Sequence, residues 1–353
     1  MTAVVTEVVI EDRRVGDSHP CFVVAEVGVN HNGDPELAAR MVDAAAEAGA
    51  DAVKFQTFRA DEFVADSAGP YEYASQGRTV REPMRDMFRR LELDRDRHAE
   101  LFERARSRGL VPLSTPADTD AVDLLAGLGV GAFKVGSDDL VHAPLLEYVA
   151  SKGKPVILST GMATEADVDR AVSTVRGAGA SSIILLHCVS EYPAPDESVN
   201  LRKMATLRAR YGTPVGFSDH TFGTVAAVAA VALDACLIEK HFTLDRGLPG
   251  PDHRFSADPA ELAALVRDVR RVERSLGDSA LVPTPAEVEM AALAHRSIVA
   301  ARDLPGGHRL EAGDLAYKRP GTGLRPYDRE RVLGRSIRHP VTAGTPLTLD
   351  MLE

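Results

Sequence analysis

The chain has 353 residues and a mass of 37.8 kDa, enough for two domains of ordinary size. Hydrophobic residues make up 44% of it, but no apolar run is long enough to predict a membrane-spanning helix. Acidic residues outnumber basic ones by 52 to 41, the net charge is −11, and no basic block interrupts the sequence. This charge argues against a nucleic-acid partner and against binding to an anionic membrane surface.

The N-terminal residues and the cysteines indicate the compartment. Residues 1–14 are acidic where a secretory signal needs a basic start and a long apolar core, so we expect no export and a cytoplasmic location. The three cysteines, Cys21, Cys188 and Cys236, are odd in number and lie far apart in apolar runs. Buried free thiols are therefore favoured over disulfides or a thiolate metal site.

Short apolar runs rich in Val, Ile and Phe alternate with longer amphipathic stretches of helical period. Eight such units predict an α/β fold of the (β/α)8 TIM-barrel type over residues 20–277, after an N-terminal extension, 1–19, that we expect to form a β-hairpin. In chain order, the predicted barrel strands are 22–27, 52–56, 110–115, 132–135, 155–159, 183–188, 214–217 and 236–241.

Two segments depart from this regular alternation. Residues 58–88, after the second strand, are long, polar and aromatic, and loops of this length at the top of a barrel often cover the site. Residues 278–290 contain turn and breaker residues and predict a linker. Residues 291–353 have the pattern of short strands between Gly and Pro turns, which predicts a small, mostly-β domain that needs a neighbouring surface for stability.

Polar side chains end the predicted strands, where barrel enzymes carry their chemistry. The chain has only seven lysines, yet Lys54, Lys134 and Lys240 all fall at strand ends. A single Lys or Ser at such a position can simply end a strand in solvent. The presence of such residues at the ends of at least four strands is not explained in this way. Two lysines ringed by hydroxyls suit a phosphate or a phosphorylated carboxylate. The hydroxyls belong to Thr115, Ser137, Ser159 and Ser218.

His220 and His241 end neighbouring strands, so their imidazoles can share one divalent cation and leave positions for water and substrate. Each histidine alone is equally well explained as a packed core residue. Glu26, on the adjacent first strand, is a candidate to orient a ligand or to act on substrate. Asp252, in a Pro- and Gly-rich turn, is a candidate for binding sugar hydroxyls, with a local turn cap as the alternative.

Nine segments carry these polar residues, in the order AEVGVNHNGD, VKFQTF, STP, FKVGS, ILSTGM, LHCVSEYPAP, GFSDHT, EKHFT and GPDHRFS. In order and spacing they resemble the successive motifs of the sialic acid synthases. The segment RSIVAARDLPGGHRLEAGDLAYKRPGTGL is similar to the C-terminal antifreeze-like, or SAF, domain of that family. The resemblance covers nearly the whole chain, from about residue 20 to residue 352. It implies an enzyme, a transferase that forms a carbon–carbon bond.

The reaction implied by the resemblance is condensation of phosphoenolpyruvate with an open-chain sugar aldehyde, with release of phosphate. The product would be a nonulosonic or related 3-deoxy-2-ulosonic acid. The resemblance also implies a divalent metal held by His220 and His241, typically Mn²⁺, with Mg²⁺, Co²⁺ and Zn²⁺ as alternatives. The phosphoenolpyruvate-binding residues carry over to Lys54, Gln56, Thr115, Lys134, Ser137, Ser159, Ser190 and Ser218.

Three further residues carry over as sugar-binding residues, namely Tyr192, Asp252 and Arg319. In the family that arginine reaches into the partner's barrel, which implies a domain-swapped homodimer and explains how a small domain is stabilised. We assign catalytic roles to Glu26, Lys54, Lys134 and Asp139. The family has a glutamate where this chain has Asp139, next to Asp138, and an asparagine where it has Ser190.

The sequence is also compatible with two other functions. One is a Schiff-base aldolase that uses Lys134 or Lys54 without a metal, and whose activity would survive chelation. The other is a non-catalytic protein that binds sugar acids or sugar phosphates because Asp139 no longer supports turnover. Retention of the lysines, hydroxyls and both histidines argues against the second. Candidate aldehydes include N-acetylmannosamine, its dideoxy-diamino relatives and an unusual sugar of a specialised pathway.

Overall fold

The structure is a computed structural model that describes residues 7–353, and residues 1–6 of the predicted N-terminal extension lie outside the described residues. The chain forms two compact units, the first ending at Gly277 and the second running from Asp278 to Glu353. No helix in the described part of the chain is long and apolar enough to cross a membrane.

The first unit contains two antiparallel hairpins and one parallel sheet of eight strands. In chain order its strands are β1 (Glu7–Ile10), β2 (Arg13–Gly16), β3 (Phe22–Gly28), β4 (Ala52–Thr57), β5 (Pro70–Ser75), β6 (Arg78–Pro83), β7 (Val111–Pro116), β8 (Phe133–Val135), β9 (Val156–Ser159), β10 (Ile183–Cys188), β11 (Val215–Asp219) and β12 (Leu237–His241).

The eight parallel strands are hydrogen-bonded in the order β7, β4, β3, β12, β11, β10, β9, β8. The two end strands, β7 and β8, pack side by side and nearly close the sheet into a barrel, although no ladder joins them in residues 7–353. Each predicted barrel strand overlaps one of these eight. The predicted TIM-barrel class is therefore confirmed, and the carboxyl ends of all eight strands meet at one mouth.

Helices surround the barrel, and several of them start at a residue whose side chain caps the first turn. Asp34 accepts hydrogen bonds from the backbone N–H groups of Glu36 and Leu37, with Pro35 in the first turn. The helices are α1 (Pro35–Glu47), α2 (Ala60–Phe63), α3 (Met84–Arg90), α4 (Arg95–Ser107), α5 (Thr119–Gly127), α6 (Ala143–Ser151), α7 (Glu165–Gly177), α8 (Asp196–Val199), α9 (Lys203–Tyr211), α10 (Val225–Ala232), α11 (Pro259–Leu276) and, in the second unit, α12 (Pro285–Ala294).

The hairpin β1–β2 closes the end of the barrel opposite the mouth. Its side chains Val8, Ile10 and Val15 are fully buried or nearly so, and they share one apolar cluster with Phe22 and Ala52, which begin barrel strands. The amino ends of the strands are thus sealed by apolar packing, which leaves the mouth as the polar end of the barrel interior.

The long connection between β4 and α4 is folded rather than irregular. It contains α2, the hairpin β5–β6 and α3. The backbone N–H of Gly250 donates to Ser75 Oγ (3.1 Å), and Gln76 Nε2 donates to the Gly247 carbonyl (2.9 Å). These bonds fix the hairpin against the loop that follows β12, so the segment that we expected to cover the mouth is anchored there.

The second unit has its own small core. The strands β13 (Ser297–Ala300) and β14 (Leu315–Lys318) pair antiparallel, and isolated bridges extend the β structure. Residues 285–290, which the sequence assigns to a linker, lie in α12, where Thr284 and Glu287 form a capping box. The buried side chains at the centre of this unit include Ile298, Leu304, Leu310, Val332, Ile337, Leu347 and Leu352.

Candidate active site

A cavity of about 460 Å³ opens at the mouth of the barrel, and every barrel strand or the loop after it supplies part of its lining. Thirteen of the predicted site residues meet there, which are Glu26, Lys54, Gln56, Thr115, Lys134, Ser137, Asp139, Ser159, Ser190, Tyr192, Ser218, His220 and His241. Asp252 lies beside this set, and Arg319 belongs to the second unit. We call this space the active-site cavity.

Two lysines and two glutamates form the buried floor of the active-site cavity. Lys54 Nζ lies 2.8 Å from Glu26 Oε2 and 3.8 Å from Glu239 Oε2, and Lys134 Nζ lies 3.6 Å from Glu239 Oε1. The parallel register explains the first pair, because Glu26 on β3 is the direct neighbour of Lys54 on β4. Each ammonium group therefore lies within ion-pair distance of at least one buried carboxyl group.

The buried charges shift one another's pKa values. Burial raises the pKa of Glu26 above its ordinary value, against the opposing effect of Lys54. Burial alone would lower the pKa of Lys54, but Glu239 and Glu26 outweigh it and the pKa is raised. Lys54 is therefore a permanent cation, suited to bind an anion and poorly suited to act as the free amine that a Schiff base requires.

Hydroxyl groups surround the lysines as predicted, and two of them have no protein partner. Lys54 Nζ donates to Thr115 Oγ1 (3.0 Å), and Ser218 Oγ donates to Glu239 Oε1 (3.1 Å). The hydroxyl oxygens of Ser159 and Ser190 are buried without a hydrogen-bond partner among the described residues. A buried hydroxyl without a partner costs free energy, so these two groups point to a polar ligand in the active-site cavity.

Gly161 is a residue of this site that we did not predict. A Cβ atom at this position would lie 2.4 Å from Ser190 Oγ and 2.7 Å from Ser137 Oγ. The backbone N–H of Gly161 also donates to Ser137 Oγ (3.0 Å). Only glycine lets the backbone approach both hydroxyls this closely, and its place in the segment ILSTGM was the available signal.

His220 and His241 face each other across the mouth, with ring centroids 5.4 Å apart. His220 Nδ1 lies 2.7 Å from the Val189 carbonyl, and its donation there leaves Nε2 with a free lone pair. His241 Nδ1 is buried without a hydrogen-bond partner, and Asp252 Oδ2 lies 3.5 Å away. Burial, aided by the neighbouring His220, holds the pKa of His241 well below its ordinary value, so that ring is neutral.

His241 thus offers a neutral ring with an unused nitrogen to a divalent cation. Burial alone would lower the pKa of His220, but contact with Cys188 outweighs it and raises the pKa, so a cation bound between the two rings would displace a proton from His220. Across residues 7–353, no group of three or more His, Cys, Asp or Glu side chains has the arrangement of a metal site. The two histidines alone would leave most coordination positions to substrate and water, as an open catalytic site requires.

The loop after β8 brings both aspartates to the active-site cavity. Asp139 begins a short 3-10 turn, and burial together with the adjacent Asp138 raises its pKa to about 6. Asp138 folds back over Gly136, where a Cβ atom would lie 2.1 Å from Asp138 Oδ1. A carboxylate with a pKa near 6 is placed to exchange protons near neutral pH.

Glu239 and Lys240 show what strand-end reasoning missed. Glu239 is not among the predicted site residues, yet it is the carboxylate that both active-site lysines contact. Lys240 points to the other side of β12, where its Nζ lies 2.7 Å from Asp219 Oδ2 and 2.8 Å from the Thr221 carbonyl. The alternation of side chains along a strand was the signal, because it turns Glu239 and His241 inward and Lys240 outward.

The three predicted sugar-binding residues lie in different surroundings. The Tyr192 ring centroid lies 4.3 Å from that of His220, and half of the residue is exposed (51%). Asp252 lies next to His241, and burial raises its pKa to about 6. Arg319 is exposed directly after β14 in the second unit.

Residues 41–280 match the NeuB family, and residues 295–353 match the SAF domain. The chain belongs to the NeuB family. The resemblance to sialic acid synthases is therefore confirmed, together with the identification of the chain as an enzyme of that kind and of its C-terminal part as a SAF domain.

Relatives in the NeuB family span almost the whole chain. N,N'-diacetyllegionaminic acid synthase from Legionella pneumophila is 42% identical over 342 residues, which are 96% of each protein. The same-named enzyme from Campylobacter jejuni is 40% identical over 316 residues, 89% of this chain and 95% of that protein. The crystal structure of N-acetylneuraminic acid synthetase from Leptospira borgpetersenii aligns with a TM-score of 0.73 at 35% identity, covering 82% of this chain and 96% of that one.

Proposed function

We propose that this NeuB-family enzyme condenses phosphoenolpyruvate with an open-chain sugar aldehyde of the N-acetylmannosamine type or a close relative. The products are a nonulosonic or related 3-deoxy-2-ulosonic acid and phosphate. One observation carries the proposal, namely that the buried cations Lys54 and Lys134 share a cavity with the unpartnered hydroxyls of Ser159 and Ser190. Relatives named as synthases of diacetyllegionaminic and N-acetylneuraminic acid support it.

Phosphoenolpyruvate carries its negative charge on one carboxylate and one phosphate, and two lysines can serve these two groups. Gln56, Thr115, Ser137 and Ser218 would complete the binding site from neighbouring strands. In this arrangement the lysines stabilise the negative charge of the phosphate group, both while it is bonded to the substrate and when it leaves.

Carbon–carbon bond formation joins C3 of phosphoenolpyruvate to C1 of the aldehyde. His220 and His241 would hold a divalent cation, typically Mn²⁺, which when bound polarises an aldehyde oxygen. Tyr192 and Asp252 lie beside these histidines and would orient the sugar chain. Water then adds at C2, and cleavage of the C–O bond releases phosphate.

Proton transfer in this scheme is assigned to carboxyl groups at the mouth. Asp139 lines the active-site cavity with a pKa of about 6, and Glu26 carries a pKa raised by burial. Each can therefore hold or release a proton near neutral pH. We assign activation of the attacking water to Asp139. The role that we assign to Glu26 is to hold Lys54 in place.

The assembly that we propose is a domain-swapped homodimer in a cytoplasmic enzyme. Residues 20–277 would form the barrel domain, preceded by the extension 1–19, and residues 291–353 the SAF domain after the linker 278–290. Arg319 would reach the sugar in the partner's barrel. Its exposure at the end of β14 is compatible with this role, because the side chain is not used within its own small core.

The test is an assay of phosphate release from phosphoenolpyruvate with Mn²⁺ and a panel of aldoses, combined with the product mass. We expect release with at least one aldose and its loss on chelation. Activity that survives chelation and is trapped by borohydride would instead support a Schiff-base aldolase. Binding of phosphoenolpyruvate without release for any aldose would support a non-catalytic binding protein.

A further inference from the structure

The carboxylate of Asp252 lies beside the ring of His241, which lines the active-site cavity. Asp252 Oδ2 is 3.5 Å from His241 Nδ1, at the outer limit of a hydrogen bond, and contacts of this kind often shorten when a site is filled. Among residues 7–353, the side chain of Asp252 makes no hydrogen bond and no other ion pair. Its carboxylate is therefore free to accept a hydrogen from this ring.

The two nitrogens of the His241 ring lie in different surroundings. Nδ1 is buried without a hydrogen-bond partner in the described part of the chain, so Nε2 is the nitrogen that can reach a cation in the active-site cavity. A neutral imidazole carries one hydrogen, on either nitrogen. With the hydrogen on Nδ1, the ring donates to Asp252 and keeps the lone pair of Nε2 for the cation. With the hydrogen on Nε2, that lone pair is lost, and Nδ1 faces the carboxylate as a second acceptor, which is unfavourable in a buried site.

His220 has a comparable arrangement around its own ring. Its Nδ1 lies 2.7 Å from the Val189 carbonyl, which can only accept a hydrogen bond, so Nδ1 carries a hydrogen and Nε2 is left for the cation. A carbonyl thus fixes one ring, and the carboxylate of Asp252 is placed to fix the other. Partners of this kind orient metal-binding histidines and make the coordinating nitrogen more basic.

A buried amide sets the separation between Asp252 and His241. Asn30 is fully buried, and its Nδ2 donates to the carbonyl of Phe242 (2.9 Å) and to Ser256 Oγ (2.9 Å). Ser256 Oγ donates in turn to the Asp252 carbonyl (2.6 Å). Because Phe242 directly follows His241, the side chain of Asn30 joins the backbone at the histidine to the backbone at the aspartate.

Further contacts hold the same loop without using the carboxylate. The backbone N–H of Ala257 donates to the His241 carbonyl (2.7 Å), and the N–H of Thr243 donates to the Ala257 carbonyl (2.9 Å). The buried ring of His253, the residue after Asp252, has its Nδ1 2.7 Å from Thr243 Oγ1. Removal of the Asp252 carboxylate should therefore leave the loop in place, which makes its effect on His241 measurable.

We propose that Asp252 is a positioning residue of the metal site, whose carboxylate accepts the Nδ1 hydrogen of His241 and so presents Nε2 of that ring to the divalent cation. This inference rests on the metal pair of the proposed function and deepens it. Within residues 7–353, no group of three or more His, Cys, Asp or Glu side chains has the arrangement of a metal site. Asp252 would therefore act through the ring rather than as a third ligand.

The test is a calorimetric titration of the metal-free, full-length protein with Mn²⁺ in the absence of both substrates. Asp252→Ala should weaken Mn²⁺ binding by about tenfold or more, as the loss of a partner that orients a metal-binding histidine does. Asp252→Asn keeps an oxygen that can accept the Nδ1 hydrogen, so its affinity should stay within about threefold of wild type. A residue that only binds the sugar would leave the affinity unchanged in both variants.

Asp245→Ala is the matched control, because it makes the same change in the same loop. Asp245 is exposed, and its carboxylate accepts from the backbone N–H of Gly247 (2.7 Å) rather than facing the histidines. Its Mn²⁺ affinity should equal that of wild type. Thermal unfolding of each variant without metal shows whether a change in affinity occurs in an intact fold.

A second measurement reports the position of the hydrogen directly. In protein labelled with ¹⁵N-histidine, the signals of His241 are those that disappear in His241→Gln. The wild-type spectrum should show the hydrogen on Nδ1 of this ring, and the Asp252→Ala spectrum should show a mixture of the two tautomers.

Equal Mn²⁺ affinities for wild type and Asp252→Ala would overturn the inference and leave the metal pair and the condensation intact. A wild-type His241 ring with its hydrogen on Nε2 would do the same. Absence of Mn²⁺ binding to the wild-type protein would overturn the metal pair and the inference with it. Phosphate release from phosphoenolpyruvate tests the condensation separately from all three results.

Discussion

Asp139 lines the active-site cavity, although its side chain is one methylene shorter than the glutamate that the resemblance to sialic acid synthases implies at this position. Its pKa is raised to about 6 because the group is partly buried and lies beside Asp138. The carboxylate is therefore mostly deprotonated at pH 7 and becomes protonated as the pH falls through about 6. A base with this pKa is available under physiological conditions and is switched off in mild acid.

The first prediction concerns the pH profile. Because the reaction needs the deprotonated form, kcat/KM should fall as the pH is lowered through about 6. Asp139→Asn should lower kcat by about 100-fold and remove this acidic limb, whereas Asp139→Glu should stay within about tenfold of wild type. Rates measured from pH 5 to pH 8 on the three proteins are the check. An unchanged acidic limb in Asp139→Asn would assign that limb to another group.

The second prediction concerns the buried ion pair of Lys54 and Glu26. Lys54→Met should lower the free energy of unfolding by about 3–5 kcal/mol, because it leaves the buried carboxyl group of Glu26 without its cation, while Glu239 keeps Lys134. Lys152→Met is the control, since the pair of Lys152 with Asp123 is more exposed and should change stability by less than about 1 kcal/mol. Denaturant unfolding of both variants gives the comparison, and equal losses would contradict the assigned burial effect.

At the scale of the elements, the pair of strands β11 and β12 positions both histidines. Lys240 on β12 binds the carboxylate of Asp219 and the carbonyl of Thr221, the two residues that flank His220. Asp219 Oδ1 accepts in turn from the N–H and the hydroxyl of Thr221. This buried network ties the end of β11 to the strand that carries His241 and so fixes the relative positions of the two rings.

The third prediction follows from this network. Lys240→Met should weaken Mn²⁺ binding by about tenfold and destabilise the fold by about 3–5 kcal/mol, because Asp219 becomes an unpaired buried charge. The double variant Lys240→Met, Asp219→Leu should recover much of the stability but not the Mn²⁺ affinity. Calorimetric Mn²⁺ titration and denaturant unfolding separate the two effects. Recovery of both in the double variant would show that the network has only a structural role.

The sequence predicted the elements of the barrel better than the partners of individual side chains. Alternating periodicity located all eight barrel strands, because a parallel sheet needs short apolar strands and long crossovers. It did not reveal the hairpin β5–β6, whose exposed strands are stabilised by neighbours rather than by an apolar pattern of their own. Glu239 was missed for a similar reason, since its role depends on two lysines that are distant in sequence.

At the scale of the whole molecule, the proposed domain swap makes a prediction that a monomeric enzyme would not meet. His220→Ala should abolish activity because it removes a proposed metal ligand from the barrel. Arg319→Ala should abolish activity because it removes a proposed sugar-binding residue from the SAF domain. The two inactive proteins are then unfolded together and refolded as an equal mixture. In that mixture, about a quarter of all active sites should combine an intact barrel with an intact SAF domain.

Phosphate release from the mixed sample is the measurement for this fourth prediction. Each variant refolded alone is the control and should stay inactive. Recovery of about a quarter of the wild-type rate would support the swapped arrangement. No recovery, in a sample shown to contain mixed dimers, would place both groups in the same chain's site.

The junction between β7 and β8 has a consequence for how the barrel moves. These strands pack together, but no ladder joins them within residues 7–353, and β8 has only three residues. The amide hydrogens of β7 and β8 that face this junction should therefore exchange with solvent deuterium faster than those of β3 or β12, because β3 and β12 each pair with a strand on both sides. The barrel would open first beside Thr115 and Asp139, so the catalytic loop after β8 would loosen before the strands that hold the histidines.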